Sequence, residues 1–267
     1  MSAPVWETNQ QLRRSPIVTP PLRLPGQSID ERICDLRDKF NELLVLPLCL
    51  VALAIVEWLH WLMAAPPNPF IPSVLALIAI LYAWRKGAPL VATIKNHRLG
   101  RDGERSVGQM LEQLRGKGYC IFHDIIGPDF NIDHVIVGPA GIFTIETKTR
   151  SKPMRGCSKI VYDGNTVRIE SGQPIDAPLD QARAQAQWVS ERLNDGRATP
   201  FTVQPIVVFP GWYVERTGPR SNRDVWVLNP KMLAQCLEDE RSILSPALVD
   251  SAANTLTRYS RWPISQN

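Results

Sequence analysis

The sequence predicts an α/β domain with a mixed sheet flanked by helices, preceded by an N-terminal transmembrane helical hairpin. Three observations predict it. Apolar residues bunch into one stretch, Leu43 to Trp84. Three short apolar runs separated by turn residues follow between Tyr119 and Thr149. A helical pattern over Pro178 to Asn194 then leads into the apolar run Val203 to Phe209. A strand meander followed by a crossover helix requires a sheet with both antiparallel and parallel pairs.

Residues 1–42 are polar, contain proline and balance their charges, which reads as a flexible arm with a short helix near Ile29–Glu42. They lack the pattern of a secretory signal. The hairpin occupies 43–84. Its first segment, Leu43 to Met63, is about the 20 residues needed to cross a bilayer; the second, Phe70 to Trp84, is short for a full span. The alternative is a helical hairpin buried in a protein core. Trp58, Trp61, Tyr82 and Trp84 lie near the segment ends, where interfacial aromatic residues belong. Glu57 and His60 are costly in lipid and are expected to face the second helix or the headgroups. Arg32, Arg37 and Lys39 precede the pair, Arg85, Lys86 and Lys95 follow it, and the Ala65–Pro69 turn is uncharged. Both termini are therefore expected in the cytoplasm of a multi-pass protein of the cytoplasmic or inner membrane. A basic linker is expected over 85–97.

The globular part is placed at 98–215, with a C-terminal strand and helical cap over 216–267. A helix over Gly103–Leu114 carries Val107, Leu111 and Leu114 on its inner stripe. Strands follow at Tyr119–Ile126, Ile132–Val137 and Ile142–Thr149, with turns at Gly127-Pro128-Asp129 and Pro139-Ala140-Gly141. A hairpin is expected around Asp163-Gly164-Asn165. The helix over 178–194 turns Ala182, Ala186, Val189 and Leu193 inward. Val225–Leu228 reads as a strand, and 230–240 and 246–262 as closing helices. The net charge of +4 is too small for a globally basic surface, so any basic patch is local. Five cysteines, none in a CxxC pair, exclude a ribbon-type zinc site and argue against a disulfide framework.

Chemistry is expected where charges interrupt the apolar strands. Asp133 shares a strand face with Val135 and Val137; Glu146 and Lys148 share a face of the next strand. The short turn makes these strands antiparallel neighbours, so two carboxylates and an ammonium meet at one end of a hairpin. Carboxylates that close repel unless a cation or proton is shared. Their hard oxygens suit Mg2+ or Mn2+, which assist phosphodiester hydrolysis. Glu104, on the inner side of the first helix, is expected to join Asp133 and Glu146 at the metal. Gln181, in the first turn of the 178–194 helix, is expected to hold a water or Lys148. Lys148, Arg150, Lys152, Arg155 and Lys159 form a basic run; Arg150, Lys152, Arg155 and Lys159 are the expected contacts to a DNA phosphate backbone, the alternative being a solvated loop. His134 points away from Asp133 and reads as structural rather than as a ligand. His123 and Asp124 read as strand-end polar groups, Tyr162 and Trp188 as core, and Trp212-Tyr213 as an exposed pair.

The segments Gly103-Glu104-Arg105-Ser106-Val107-Gly108, Asn131-Ile132-Asp133-His134, Ile145-Glu146-Thr147-Lys148 and Gln181-Ala182 resemble the nuclease-related domain (NERD) family. That family is similar to the PD-(D/E)xK restriction-endonuclease-like superfamily; Ile132 stands here where the superfamily name has proline, as the NERD pattern expects. The resemblance covers about residues 98–215. It implies a restriction-endonuclease-like core and a Mg2+-dependent deoxyribonuclease. Glu104, Asp133, Glu146, Lys148 and Gln181 would be its site. DNA and a membrane are the expected partners. A homo-oligomer is compatible, and no organic cofactor is implied. The alternative is a non-catalytic membrane-anchored module that binds nucleic acid or protein on the same fold.

Overall fold

Both apolar stretches lie inside helices much longer than themselves. The computed structural model describes residues 22–63, 69–152, 159–170, 174–175, 178–197, 199–218 and 224–261. Helix α1 spans Gln27–Leu62 and helix α2 spans Phe70–Leu111, 36 and 42 residues. The arm is thus helical from Gln27 onward. The expected linker at 85–97 is not a break but the interior of α2, which runs unbroken into the helix carrying Glu104. Packing explains the continuity: Ile94 is buried, as is Ile33 on α1. Arg101 bonds Asp30 at 3.1 Å, and Arg105 reaches the same carboxylate. At 1.5 Å per residue α2 is about 63 Å long. Most of the 65–69 turn lies outside the described residues.

Ala76, Ala79, Ala83 and Gly87 form the buried seam of α2 against α1. A Cβ on Gly87 would sit 2.8 Å from the Phe40 ring, so glycine there sets how closely the helices approach. The opposite faces are apolar and uncovered, including Leu46, Leu53, Ile55, Leu59, Leu75, Ile78 and Tyr82. Only 11% and 17% of the most apolar windows of the two helices are buried. This chain therefore does not bury the hairpin in its own core. Both helices are long and apolar enough to cross a membrane.

The globular part is built on a five-stranded sheet, ordered β1-β2-β3-β6-β8. These strands are β1 (Cys120–Ile126), β2 (Asn131–Gly138), β3 (Gly141–Thr147), β6 (Val203–Val208) and β8 (Trp226–Leu228). The first three form an antiparallel meander, while β3–β6 and β6–β8 are parallel. A smaller sheet, β5-β4-β7, uses β4 (Lys159–Tyr162), β5 (Val167–Ile169) and β7 (Tyr213–Arg216). Sequence patterning gave no sign of β7.

Strand alternation decides what each face covers. Ile121, Ile136, Phe143 and Ile145 meet Val107 and Leu111 of α2 and Leu233 and Leu237 of helix α4 (Pro230–Asp239). Phe122, Val135, Val137 and Ile142 meet Val189 and Leu193 of α3 (Pro178–Asn194) and Val249, Ala252 and Leu256 of α5 (Pro246–Thr257). The segment after 215 is therefore part of this domain: β8 extends the main sheet, and α4 and α5 cover its two faces.

A buried ion pair ties the N-terminal segment to this domain. Arg23 Nε donates to Asp124 Oδ2 at 2.7 Å, and both side chains are 1% exposed. The backbone N–H of Ser28 donates to the same carboxylate at 2.9 Å, and its hydroxyl also bonds it. Arg23 N–H reaches Ser260 O at 2.9 Å, and Leu22 bridges Arg261. Asp124 is thus an internal anchor, not the strand-end polar group expected from its place before a turn. Its φ of +50° aims the carboxylate inward. His123 is buried too: Nδ1 lies 2.9 Å from His134 Nδ1, and Nε2 lies 2.8 Å from Glu112. Replacing Arg23 with Met should lower unfolding stability by about 3 kcal/mol, because Asp124 is left charged and unpaired out of water. The double variant Arg23→Met/Asp124→Asn should recover most of that loss in thermal unfolding of the detergent-solubilised full chain.

Candidate active site

The sheet end formed by the C-terminus of β3 and the N-terminus of β2 collects the charged residues. Glu146 is the sixth residue of β3 and shares the face of Ile142, toward α3. Asp133 lies on the same side of β2 as Val135 and Val137. Its Oδ2 accepts from the Thr147 N–H at 2.7 Å, so the β3 backbone between Glu146 and Lys148 fixes the Asp133 carboxylate. Lys148 follows the strand, and its own N–H donates to Val208 O at 2.9 Å, which extends the β3–β6 pairing past the formal strand end.

The Lys148 ammonium makes two contacts. Nζ lies 2.7 Å from Glu146 Oε1 and donates to Gln181 Oε1 at 2.7 Å. The second Glu146 oxygen, Oε2, accepts from Gln185 Nε2 at 2.6 Å, and the same amide nitrogen bonds Asn131 O at 3.0 Å. Gln185 is 1% exposed. Sequence reasoning passed over it, although an amide one turn after Gln181, among the inward Ala182, Ala186 and Val189, was a usable signal.

Glu104 reaches this cluster from α2, on the other side of the sheet. The approach depends on Gly103: a Cβ there would lie 1.7 Å from Thr149 Oγ1, so only glycine lets α2 pass this close to the chain leaving β3. Glu104 is buried. Burial, then repulsion by Asp124 and Glu146, pushes its carboxyl up to about 8; Lys148 opposes them. Asp133 is held well above the usual carboxylate range by burial, then by Glu146 and Glu104, against the pull of the Thr147 N–H and Lys148. Lys148 thus ion-pairs with Glu146 and weakly offsets the charge on Glu104 and Asp133.

The expected three-carboxylate metal cage is not assembled: among the described residues, no three His, Cys, Asp or Glu side chains stand ready to hold a cation. The reason is visible in the hydrogen bonds, since protein donors already pin Asp133 and both oxygens of Glu146. Asp133 and Glu146 nonetheless fit a divalent cation as a two-carboxylate donor set. They are hard oxygen ligands in a place with excess negative charge.

The basic run divides. Arg150 and Lys152 are exposed, and neither has an acidic partner among the described residues. Lys159 opens β4 and ion-pairs with Glu215 on β7 and with Glu170 at 3.8 Å, so its charge is engaged rather than free for phosphate. Those acids lie beyond Asp163 in sequence and arrive through strand pairing. Arg155 lies outside the described residues. His134, fully buried beside Gly108 of α2, faces away from Asp133, and Tyr162 is core. Trp212 is 1% exposed, so only Tyr213 of that pair is at the surface.

Residues 99–210 match the family model described as the nuclease-related domain. The match covers under half of the chain, and it is to this family that the segment is similar. The segment holds all five candidate residues, whereas Arg23, β8, α4 and α5 lie outside it. An uncharacterized protein of Bacillus anthracis is 32% identical over 93 residues, 32% of this chain and 41% of that protein. The chain therefore matches less than half of that relative's length. Among solved structures, Pyrococcus furiosus SfsA in complex with Ca2+ covers 57% of this chain and 52% of its own at 14% identity, with a TM-score of 0.23. A score that low carries no argument about fold or function.

The raised Glu104 carboxyl gives a test in the absence of divalent cations. A carboxyl ordinarily near 4.5 that titrates near 8 when folded keeps its proton longer in the folded state. Its contribution to stability is complete below about pH 4.5 and is lost as pH rises toward 8. Melting temperature in EDTA should therefore fall between pH 5.5 and pH 8, and Glu104→Gln should flatten that fall.

Proposed function

We propose that this chain is a membrane-tethered, metal-dependent nuclease that hydrolyses DNA phosphodiester bonds. One observation carries the reading: in a segment similar to the nuclease-related domain, Lys148 is held between Glu146 and Gln181 at the strand end where Thr147 fixes Asp133. Asp133 and Glu146 would hold Mg2+ or Mn2+, and Glu104 would add negative charge nearby. The cation would lower the pKa of a bound water and offset charge on the phosphate.

The chain's own side chains set the rest. Gln181 orients the Lys148 ammonium so that it can face an attacking water or the phosphoryl oxygens, where positive charge stabilises the transition state. Gln185 holds Glu146 in one rotamer. The hairpin supplies the tether. Its uncovered apolar faces suit lipid, and Arg85, Lys86, Lys95 and Arg98 follow the second apolar segment without an intervening acid. The domain then lies on the cytoplasmic side. From Lys86 to Glu104 the helix rises about 27 Å, so the site stands at a fixed height above the bilayer.

The test uses the detergent-solubilised full chain, because a fragment starting within α2 loses Arg23. Supercoiled plasmid should be nicked or linearised with Mg2+ or Mn2+ and left intact in EDTA. Lys148→Ala and Asp133→Ala should each lower the rate roughly 100-fold or more, and Gln181→Ala about 10-fold. Cleavage that survives Lys148→Ala and Asp133→Ala would contradict the reading. Metal-independent DNA binding without cleavage by the folded chain would favour the non-catalytic module.

A further inference from the structure

The turn after β6 builds a surface beside the site. Gly211, at φ +77°, reverses the chain into β7. Trp212 then points inward and Tyr213 outward, as strand alternation requires. Trp212 is fixed on several sides. Its backbone N–H donates to Phe209 O at 3.2 Å, its carbonyl accepts from Asn229 Nδ2 at 2.5 Å, and its indole N–H donates to Arg150 O at 3.2 Å. The last bond joins β7 to the segment that leaves Lys148. Lys152 Nζ stands over the Trp212 ring, 5.8 Å from its centre.

The result is a short surface with two cations and one aromatic ring. Arg150 and Lys152 are exposed, and Tyr213 is 67% exposed. The acids nearest Tyr213 on this small sheet, Glu215 and Glu170, are both engaged by Lys159 and so leave little free negative charge there. Two chain steps from Lys148 to Arg150, the indole bond and one further step place Tyr213 within roughly 20 Å of Lys148. A strand of a few nucleotides spans that distance.

We propose that Tyr213 is a base-stacking contact, with Arg150 and Lys152 on neighbouring phosphates, and that the site prefers an unpaired DNA strand, whether free or in the unwound stretches of a supercoiled plasmid. In a duplex both faces of each base are covered by the stack, so a protein ring finds no face to meet; an unpaired strand offers one at every nucleotide. An exposed ring one residue from the anchored Trp212, with Lys152 over that indole and no acidic partner for Arg150 or Lys152 among the described residues, suits such a strand. This inference rests on the nuclease reading of the same site.

The experiment measures fluorescence anisotropy of a labelled single strand of about 20 nucleotides, longer than one such site covers, and of the matching blunt duplex. It uses the full chain in detergent and EDTA. Tyr213→Ala should weaken single-strand binding about 10-fold and leave duplex binding and melting temperature unchanged. Tyr213→Phe and Tyr213→Trp should bind as wild type. Arg150→Ala/Lys152→Ala should weaken both and make the single-strand salt slope shallower by about 1.4, two phosphates at roughly 0.7 each. Single-strand binding unchanged by Tyr213→Ala, or single-strand and duplex binding lost equally, would overturn the inference while metal-dependent cleavage kept the nuclease reading intact. Wild-type chain that binds neither DNA at low salt would overturn both.

Discussion

Three carboxylates, Glu104 from a helix and Asp133 and Glu146 from two strands, feel one another's charge and that of the Lys148 ammonium, which ion-pairs with Glu146. Glu104 and Asp133 are both pushed toward their protonated forms, by burial first and by their acidic neighbours second. A fold does not accept that cost without constraining the chain around it. Gly103 exists so that α2 can pass Thr149; Gln185 is buried to hold Glu146; the Thr147 N–H is spent on Asp133 rather than on a neighbouring strand. Each of these keeps like charges close when repulsion alone would part them.

The same economy explains the N-terminal part. Asp124 contributes to the charge felt by Glu104, yet it is itself neutralised by Arg23, 101 residues away in sequence. Strand β1, the segment Leu22–Gln27 and the segment at Ser260 thus meet at one buried ion pair. Helix α2 does two jobs without interruption, lining the apolar hairpin at one end and delivering Glu104 at the other. Domain and hairpin are joined by one continuous helix, with Pro89 inside it, rather than by a non-helical linker.

Much of the sheet was legible because strand alternation and short turns leave few choices. The two-residue spacing of Glu146 and Lys148, and the tight turn before them, placed both beside Asp133. Gln181 followed from helical spacing. Contacts that depend on long-range closure were not legible. Nothing in sequence pairs Arg23 with Asp124, and counting acids along the chain left Lys159 unopposed because β-pairing, not sequence, brings Glu215 and Glu170 to it. The 85–97 segment reads as a linker from its basic residues, but Ile94 is buried and the segment is helical. Trp212 looked exposed beside Pro210-Gly211, yet the turn folds it inward.

The central claim is that this cluster binds a divalent cation through Asp133 and Glu146, and direct Mn2+ binding to the full chain tests it best. Titration followed by the electron paramagnetic resonance of free Mn2+ should show saturable binding that tightens from pH 6 to pH 8 as Glu104 ionises. Asp133→Asn and Glu146→Gln should each weaken it at least about 10-fold, with Mg2+ competing in the wild type. No saturable binding by the folded chain, or binding that both substitutions leave unchanged, would contradict the account.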